Sequence, residues 1–279
     1  MRPRLPRLKW HQLRRRRSDP PFLRRNLEEA LRTGAACEVD LVFTADGHAF
    51  CLHDLLLDRE TTGFGPAAEA TRAEVERLRQ RAEDGHVLAD RPLFLDEIVD
   101  TVGRIGASEP GLVQLDIKAP IEALGSAALE RFGRVLGDAA PAFVAGGYDW
   151  AMIERLREAA PGMQAGFDPL AHYPRSCALS AAEFRALGER TLAIAPDAAI
   201  FYLEAKLVLA GLRAGVNLVE IVKQDEALVD AWTLNAEEPD LRADLRRLIQ
   251  AGCDQITTDD PDILGAMVRD IGGEIASCP

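Results

Sequence analysis

The sequence predicts a single (β/α)8 barrel over residues 1–279, and three observations carry that expectation. Apolar stretches of strand length recur along the chain, amphipathic segments of helical period lie between most of them, and 279 residues suit one barrel, which uses about 250. No glycine-rich GxGxxG turn follows a strand, so a dinucleotide-binding sheet has little support.

A first strand is expected near Leu8 to His11. The others span Cys37 to Phe43, Leu112 to Ile117, Ala142 to Gly146, Gln164 to Phe167, Ala199 to Leu203, Leu228 to Leu234 and Gln255 to Thr258. Among the helices, NLEEALRTG closes at Gly34 and AMIERLREAAPG at Pro161-Gly162. In LRADLRRLIQAG, Leu241, Leu245, Leu248 and Ile249 repeat with helical spacing and Gly252 supplies the stop. The rhythm breaks between Leu55 and Arg91, where DRETTGFGP and a charged helix over Ala70 to Glu83 precede the next barrel helix, Phe94 to Val102. This segment reads as an insertion above the barrel mouth, where substrate-binding loops gather.

Composition narrows the function classes. With 47% hydrophobic and 28% charged residues the chain can bury a large core, and its net charge of -12 argues against nucleic acid as a partner. Met1 to Arg25 runs the other way, with ten Arg or Lys against the single acid Asp19. That run reads as a solvated basic arm with one or two arginines serving a nearby site, and it could make weak contact with an anionic membrane surface. No apolar run reaches the roughly 18 residues of a span and no signal-like core follows the basic start, so a cytoplasmic location without a membrane span is expected. Cys37, Cys51, Cys177, Cys253 and Cys278 are scattered, without a CxxC, and read as small buried apolar residues.

The stretch CEVDLVFTADGHAFCLHD concentrates chemistry. Asp46-Gly47 marks a hairpin turn. A two-residue loop would set Asp40 opposite His53, and a four-residue loop Glu38 opposite His53. Glu38 and Asp40 share one face of the strand. Two carboxylates in one space either pair with basic neighbours or hold a hard cation, Mg²⁺ or Ca²⁺. A third acid, Asp116, ends the apolar strand of LVQLDIK with Lys118 on the same face. A carboxylate beside a lysine at a barrel strand's C-terminal end is where catalytic groups collect. His48, His86 and His172 lie in loop-like contexts and read as surface residues, and Asp259 and Asp260 as groups that close the last strand and cap the helix after Pro261.

At these residues the chain resembles the glycerophosphodiester phosphodiesterases. Glu38, TADG and His53-Asp54 keep the family's spacing; LLLDRETTGFGP, RPLFLDE, LDIK, AWTLN and TTDDP follow in the family's order. His11 precedes Glu38 by the 27 positions of the family's His-Arg-Gly, although Gln12-Leu13 replace Arg-Gly, and Asp116 stands where a Glu is usual. The resemblance implies metal-dependent cleavage of a small-molecule glycerophosphodiester to sn-glycerol 3-phosphate and an alcohol. It makes Glu38, Asp40 and Asp116 ligands of a divalent cation, Mg²⁺ or Ca²⁺, and His11 and His53 the acid–base pair. Lys118 would offset charge on the phosphate, and Arg14, Arg15 or another of the basic run would take over the missing arginine's role. Trp232 either packs the barrel or lines the pocket for the glycerol or alcohol part. Two alternatives stand beside this reading: a phospholipase-like enzyme acting on intact lipid, and a barrel that binds a phosphorylated ligand without turnover.

Overall fold

Eight consecutive buried residues, Ala36–Phe43, form a strand whose uniform burial is that of a sheet covered on both faces. In the computed structural model, which describes residues 4–118, 124–173, 179–223 and 227–277, the chain packs into two compact units. The hairpin unit comprises Gln12–Arg14 and Ser18–Ala165; the carboxy-terminal unit comprises the chain from Gly166 onward together with the start of the chain to His11 and Arg15–Arg17.

The strands are β1 (Arg7–Trp10), β2 (Ala36–Phe43), β3 (Ala49–Cys51), β4 (Val113–Ile117), β5 (Phe143–Gly146), β6 (Gln164–Phe167), β7 (Ile200–Glu204), β8 (Leu228–Trp232) and β9 (Gln255–Thr258). The helices are α1 (Arg24–Thr33), α2 (Arg72–Val75), α3 (Leu95–Ile105), α4 (Ser126–Leu136), α5 (Trp150–Ala159), α6 (Ala181–Ile194), α7 (Ala205–Arg213), α8 (Leu218–Val222), α9 (Leu241–Ala251) and α10 (Pro261–Ser277). Eight of these strands pair in parallel and β3 alone is antiparallel; with the intervening helices this is the (β/α)8 barrel class.

In the hairpin unit the strand order is β5-β4-β2-β3, with Val144 and Ala145 pairing Gln164 and Ala165 at the start of β6. Helix α1 buries Leu27, Ala30 and Leu31 and ends at Gly34, whose φ of 70° is the left-handed stop glycine enters without a Cβ clash. Helix α5 begins at Asp149, whose side chain accepts from the Met152 N–H, a cap worth about 1 kcal/mol.

The inserted segment has its own apolar anchor. Leu57, Ala67 and Val75 pack with Val42, Phe50, Leu52 and Phe94 in one buried cluster, in which each large side chain contributes about 1.5–3 kcal/mol by leaving water. The charged helix expected over Ala70 to Glu83 shrinks to the four residues of α2. Beyond it the backbone finds partners elsewhere: Thr62 N–H donates to Arg79, Gln80 N–H to Asp90 and Ala82 N–H to His86. Helical carbonyls would have to abandon those bonds, so the segment folds back through a turn at Asp84-Gly85 instead.

In the carboxy-terminal unit the order is β1-β9-β8-β7, and Gly166 and Phe167 of β6 pair with β7. Helix α6 opens with a Ser180/Glu183 capping box, and α9 buries Leu241, Leu245, Leu248 and Ile249 before Gly252. A polar cluster lies inside this unit. Lys9 Nζ sits 3.1 Å from Asp230 Oδ2 and 4.4 Å over the Tyr202 ring, and Thr257 Oγ1 and Gln255 Nε2 each donate to Asp230 at 2.7 Å.

The basic run is therefore only partly a solvated arm. Besides Lys9, Arg14 pairs with Glu83, Arg15 with Asp262, Arg17 with Glu237 and Arg24 with Glu97, because acids scattered through the chain fold back to meet it. Cys37, Cys51 and Cys253 are buried free thiols; burial pushes Cys253 up to about 12 and Cys51 well above its ordinary range. Cys177 and Cys278 lie outside the described residues. Among the described residues no helix is long and apolar enough to cross a membrane.

Candidate active site

Strand pairing brings the acids together. Strands β2 and β4 run parallel with Asp40 directly beside Asp116, and Glu38 lies two residues earlier on the same face. One oxygen from each of Glu38, Asp40 and Asp116 lies within 4.8 Å of the others. Glu38 and Asp40 are buried and Asp116 is half-buried. The set consists of hard, anionic oxygen donors, a donor chemistry that fits Mg²⁺ or Ca²⁺.

Lys118 reaches into the same space, with Nζ 3.1 Å from Asp40 Oδ1 and also bonded to Asp116 Oδ2. Burial works against its charge, yet Asp116, Asp40 and Glu38 hold its pKa well above the usual lysine range. Its ammonium is thus a fixed positive charge beside the carboxylates at any ordinary pH.

Gln12 is the fourth group at Asp40, donating from Nε2 to Oδ2 at 2.8 Å. The turn that delivers it is unusual: Gln12 and Leu13 have φ of 51° and 59°. Two successive non-glycine residues in the left-handed region cost of order 1–3 kcal/mol each and persist only where the surroundings hold them. The second falls where the family's His-Arg-Gly would put its glycine, a residue that enters this region freely. Arg14 is buried and donates from Nη2 to Glu83 at 2.6 Å and to Gln12 Oε1 at 3.4 Å.

The hairpin adopts neither expected register. Strands β2 and β3 pair Leu41 with Cys51 and Phe43 with Ala49, one residue away from both alternatives. The loop is five residues long, because Thr44 Oγ1 donates to Asp46 and accepts from the His48 N–H while Gly47 takes a φ of 76°. His53 consequently lies beyond the end of β3, where a separate clamp orients it. Its Nδ1 donates to Asp54 Oδ1 at 2.9 Å; Arg59 grips Asp54 with Nε at 2.6 Å and Nη2 at 2.8 Å; Glu60 accepts the N–H groups of His53 and Asp54. Arg59 holds the Asp54 carboxyl well below its ordinary range, whereas burial pushes Glu60 up against those backbone bonds. A carboxylate can only accept, so the proton of the neutral ring rests on Nδ1 and Nε2 is the exchanging atom.

His11, in the carboxy-terminal unit, has the same arrangement with a different partner. Nδ1 meets Asp259 Oδ1 at 2.8 Å, and Asn235 braces Asp259 by donating to Oδ2 at 2.9 Å and accepting the Asp259 N–H. Asp259, which the sequence places between the last strand and the helix after Pro261, has a further part: its carboxylate orients an imidazole. Asp260 accepts from the Ala236 N–H. Trp232 ends β8, partly exposed. His86 and His172 are exposed, and His48 packs beside Arg72 at the turn. The orienting contacts of Gln12, Arg59, Glu60 and Asp259 escape sequence reasoning because each acts on a neighbouring side chain or backbone N–H rather than carrying a motif of its own.

Known proteins resemble this chain along most of its length. Residues 25–263 match the model of the glycerophosphoryl diester phosphodiesterase family. A glycerophosphodiester phosphodiesterase of Caldanaerobacter subterraneus is 26% identical over 246 residues, covering 87% of this chain and 89% of its own. The crystal structure of a glycerophosphoryl diester phosphodiesterase from Parabacteroides distasonis superposes with a TM-score of 0.66 at 17% identity, covering 97% of this chain and 88% of the other. A phosphodiesterase of Oleispira antarctica, solved with its product sn-glycerol-3-phosphate, gives a TM-score of 0.63 at 20% identity, covering 95% of this chain and 97% of its own.

Proposed function

The chain belongs to the glycerophosphoryl diester phosphodiesterase family, a family of phosphoric diester hydrolases, and on that premise we propose that it cleaves a glycerophosphodiester to sn-glycerol 3-phosphate and an alcohol, with Glu38, Asp40 and Asp116 holding Mg²⁺ or Ca²⁺. The observation that carries this reading is the convergence of those three carboxylates within 4.8 Å. Carboxylates so crowded stay ionised only beside positive charge, which a dication would supply together with the ammonium of Lys118.

When bound, a dication there supplies electrostatic polarisation of a phosphoryl oxygen. Lys118 adds a second fixed charge against the equatorial oxygens as they gain electron density. Arg14 contributes positive charge from behind Gln12, and Trp232 contributes an apolar surface to the glycerol or alcohol part. His53 and His11 are the acid–base pair. One takes the proton of the attacking hydroxyl, whether water or the substrate's own glycerol hydroxyl, while the other gives its proton to the departing alkoxide. Both exchange at Nε2, because Nδ1 of each is committed to a carboxylate.

The test is release of sn-glycerol 3-phosphate from glycerophosphocholine. Release should stop in EDTA and return with Mg²⁺ or Ca²⁺; undiminished turnover in EDTA, or none with either ion, sinks the reading. The second outcome would favour a barrel that binds a phosphorylated ligand without turning it over.

One observation favours a second reading, an enzyme acting on intact lipid. Leu55, Leu56 and Phe64 of the inserted segment are exposed, Phe64 at 80%. Phosphatidylcholine vesicles hydrolysed faster than glycerophosphocholine would select it.

A further inference from the structure

We infer that the chain carries a second ligand site, apart from the carboxylate cluster: a cleft beside the start of α1 that binds a phosphate group, free or as a small monoester.

The cleft encloses about 360 Å³, toward the lower end of what small-molecule sites occupy, and none of Glu38, Asp40, Asp116, Lys118 and His53 lines it. Three guanidiniums do, those of Arg24, Arg79 and Arg91. The acids along it are Asp90 and Glu97, so that one positive charge is in excess among the described residues lining it. Glu97 is already engaged. Its Oε1 accepts from Arg24 and, at 2.8 Å, from Arg91; its Oε2 accepts from Arg91 at 2.9 Å and from the Phe94 N–H at 3.1 Å. Two guanidiniums thus crowd one carboxylate oxygen, while the third, Arg79, reaches only the Leu78 carbonyl, 3.3 Å from Nη1. A guanidinium has five N–H donors, so Arg24 and Arg79 keep donors in the fork that matches phosphate oxygens.

Two independent observations point to the same ligand. Gln80 is 6% exposed and lines the cleft, yet its Oε1 is buried without a hydrogen-bond partner. Native interiors rarely leave an amide so placed unsatisfied. A phosphate group answers either end of that amide, because its oxygens accept from Nε2 and its hydroxyl, when singly protonated, donates to Oε1. Helix α1, whose first residue is Arg24, begins without a side-chain cap and without an acid in its first turn, which leaves the positive end of its dipole to an outside anion.

The experiment is calorimetric titration of the full chain in EDTA with inorganic phosphate and with sn-glycerol 3-phosphate, melting temperatures being recorded alongside. Arg79→Met removes a cation that no carboxylate holds among the described residues, and it should weaken binding about tenfold at an unchanged melting temperature. Gln80→Met should also weaken binding, yet melt no lower than the wild type, because it deletes a buried polar atom that lacks a partner. Lys118→Met should bind as the wild type does. Tighter binding of the ester than of phosphate assigns the cleft to a monoester, and equal binding to free phosphate. The absence of saturable binding of either probe at millimolar concentration overturns the site. So does binding that survives Arg79→Met and Gln80→Met but is lost in Lys118→Met, which would place the anion at the carboxylate cluster instead. Should Lys118→Met fail to fold, Arg79→Met decides alone.

Discussion

The ring nitrogen Nδ1 of His11 donates to Oδ1 of Asp259 across 2.8 Å. Asn235 donates to the other oxygen of that carboxylate, which makes the amide at position 259 a sharp probe. In Asp259→Asn the new side chain must turn its oxygen to Asn235 and its NH₂ to His11, forcing the ring proton onto Nε2. Turnover should fall by about 10²–10⁴, the usual contribution of an acid–base group. Adding Asn235→Ala frees the amide to turn round and should recover part of the loss. Steady-state kcat with circular dichroism as a folding control checks this; a fall of less than threefold in the single variant removes His11 from the acid–base pair.

Much of the barrel was legible because its evidence is periodic. Strand β6 and strand β9 match their expected limits residue for residue, and Leu241, Leu245, Leu248 and Ile249 are buried as their spacing requires. The carboxylate cluster was legible for a related reason. Glu38 and Asp40 share a face by strand alternation, and any parallel pairing of two short strands that end together brings Asp116 alongside. What escaped depends on details that periodicity does not encode. The hairpin register turned on a single threonine hydroxyl satisfying both Asp46 and His48. The charged helix lost to backbone bonds that join Thr62 to Arg79, Gln80 to Asp90 and Ala82 to His86. Asp259 and Glu60 were invisible as orienting residues because such a group announces itself only through the atom it touches.

Arg59 should control acid stability through Asp54. The guanidinium holds the Asp54 carboxyl far below its unfolded value of about 3.9. A depressed folded pKa contributes stability that is complete above the unfolded value and is lost as pH falls toward the folded one. Urea midpoints of wild type and Arg59→Ala should therefore differ by a constant amount between pH 7 and about 5 and converge below about pH 4. The pair is partly exposed, so the gap is small, within about 1 kcal/mol. A gap that widens on acidification contradicts the assignment. The same variant should lower kcat, because it releases the carboxylate that orients His53.

Lys118→Met separates the lysine's two roles. Without its ammonium the metal-free protein keeps Glu38, Asp40 and Asp116 together with one positive charge fewer beside them, and it should lose roughly 3 kcal/mol of stability. A divalent ion can then replace the missing counter-charge, so millimolar Mg²⁺ or Ca²⁺ should raise the variant's melting temperature more than the wild type's. Catalysis should stay impaired even at saturating ion, since the charge proposed to meet the phosphoryl oxygens is gone. Equal ion-induced shifts in the two proteins would mean that lysine and ion do not share the carboxylates.

The buried pair Lys9–Asp230 should behave as a structural element. Lys9 is 2% exposed and Asp230 fully buried, 3.1 Å apart, and Asp230 also accepts from Thr257 and Gln255. Lys9→Met strands a carboxylate that two neutral donors cannot fully compensate, at a cost of about 3–5 kcal/mol. Lys9→Met with Asp230→Asn removes the charge yet keeps an amide oxygen for Thr257 and an amide group of the same shape beside Gln255. The double variant should therefore be more stable than Lys9→Met alone, recovering over half of the loss. Urea unfolding with unchanged m-values checks both. A double variant no better than the single would show that the lysine's packing against the Tyr202 ring, 4.4 Å from Nζ, outweighs its neutralisation of Asp230.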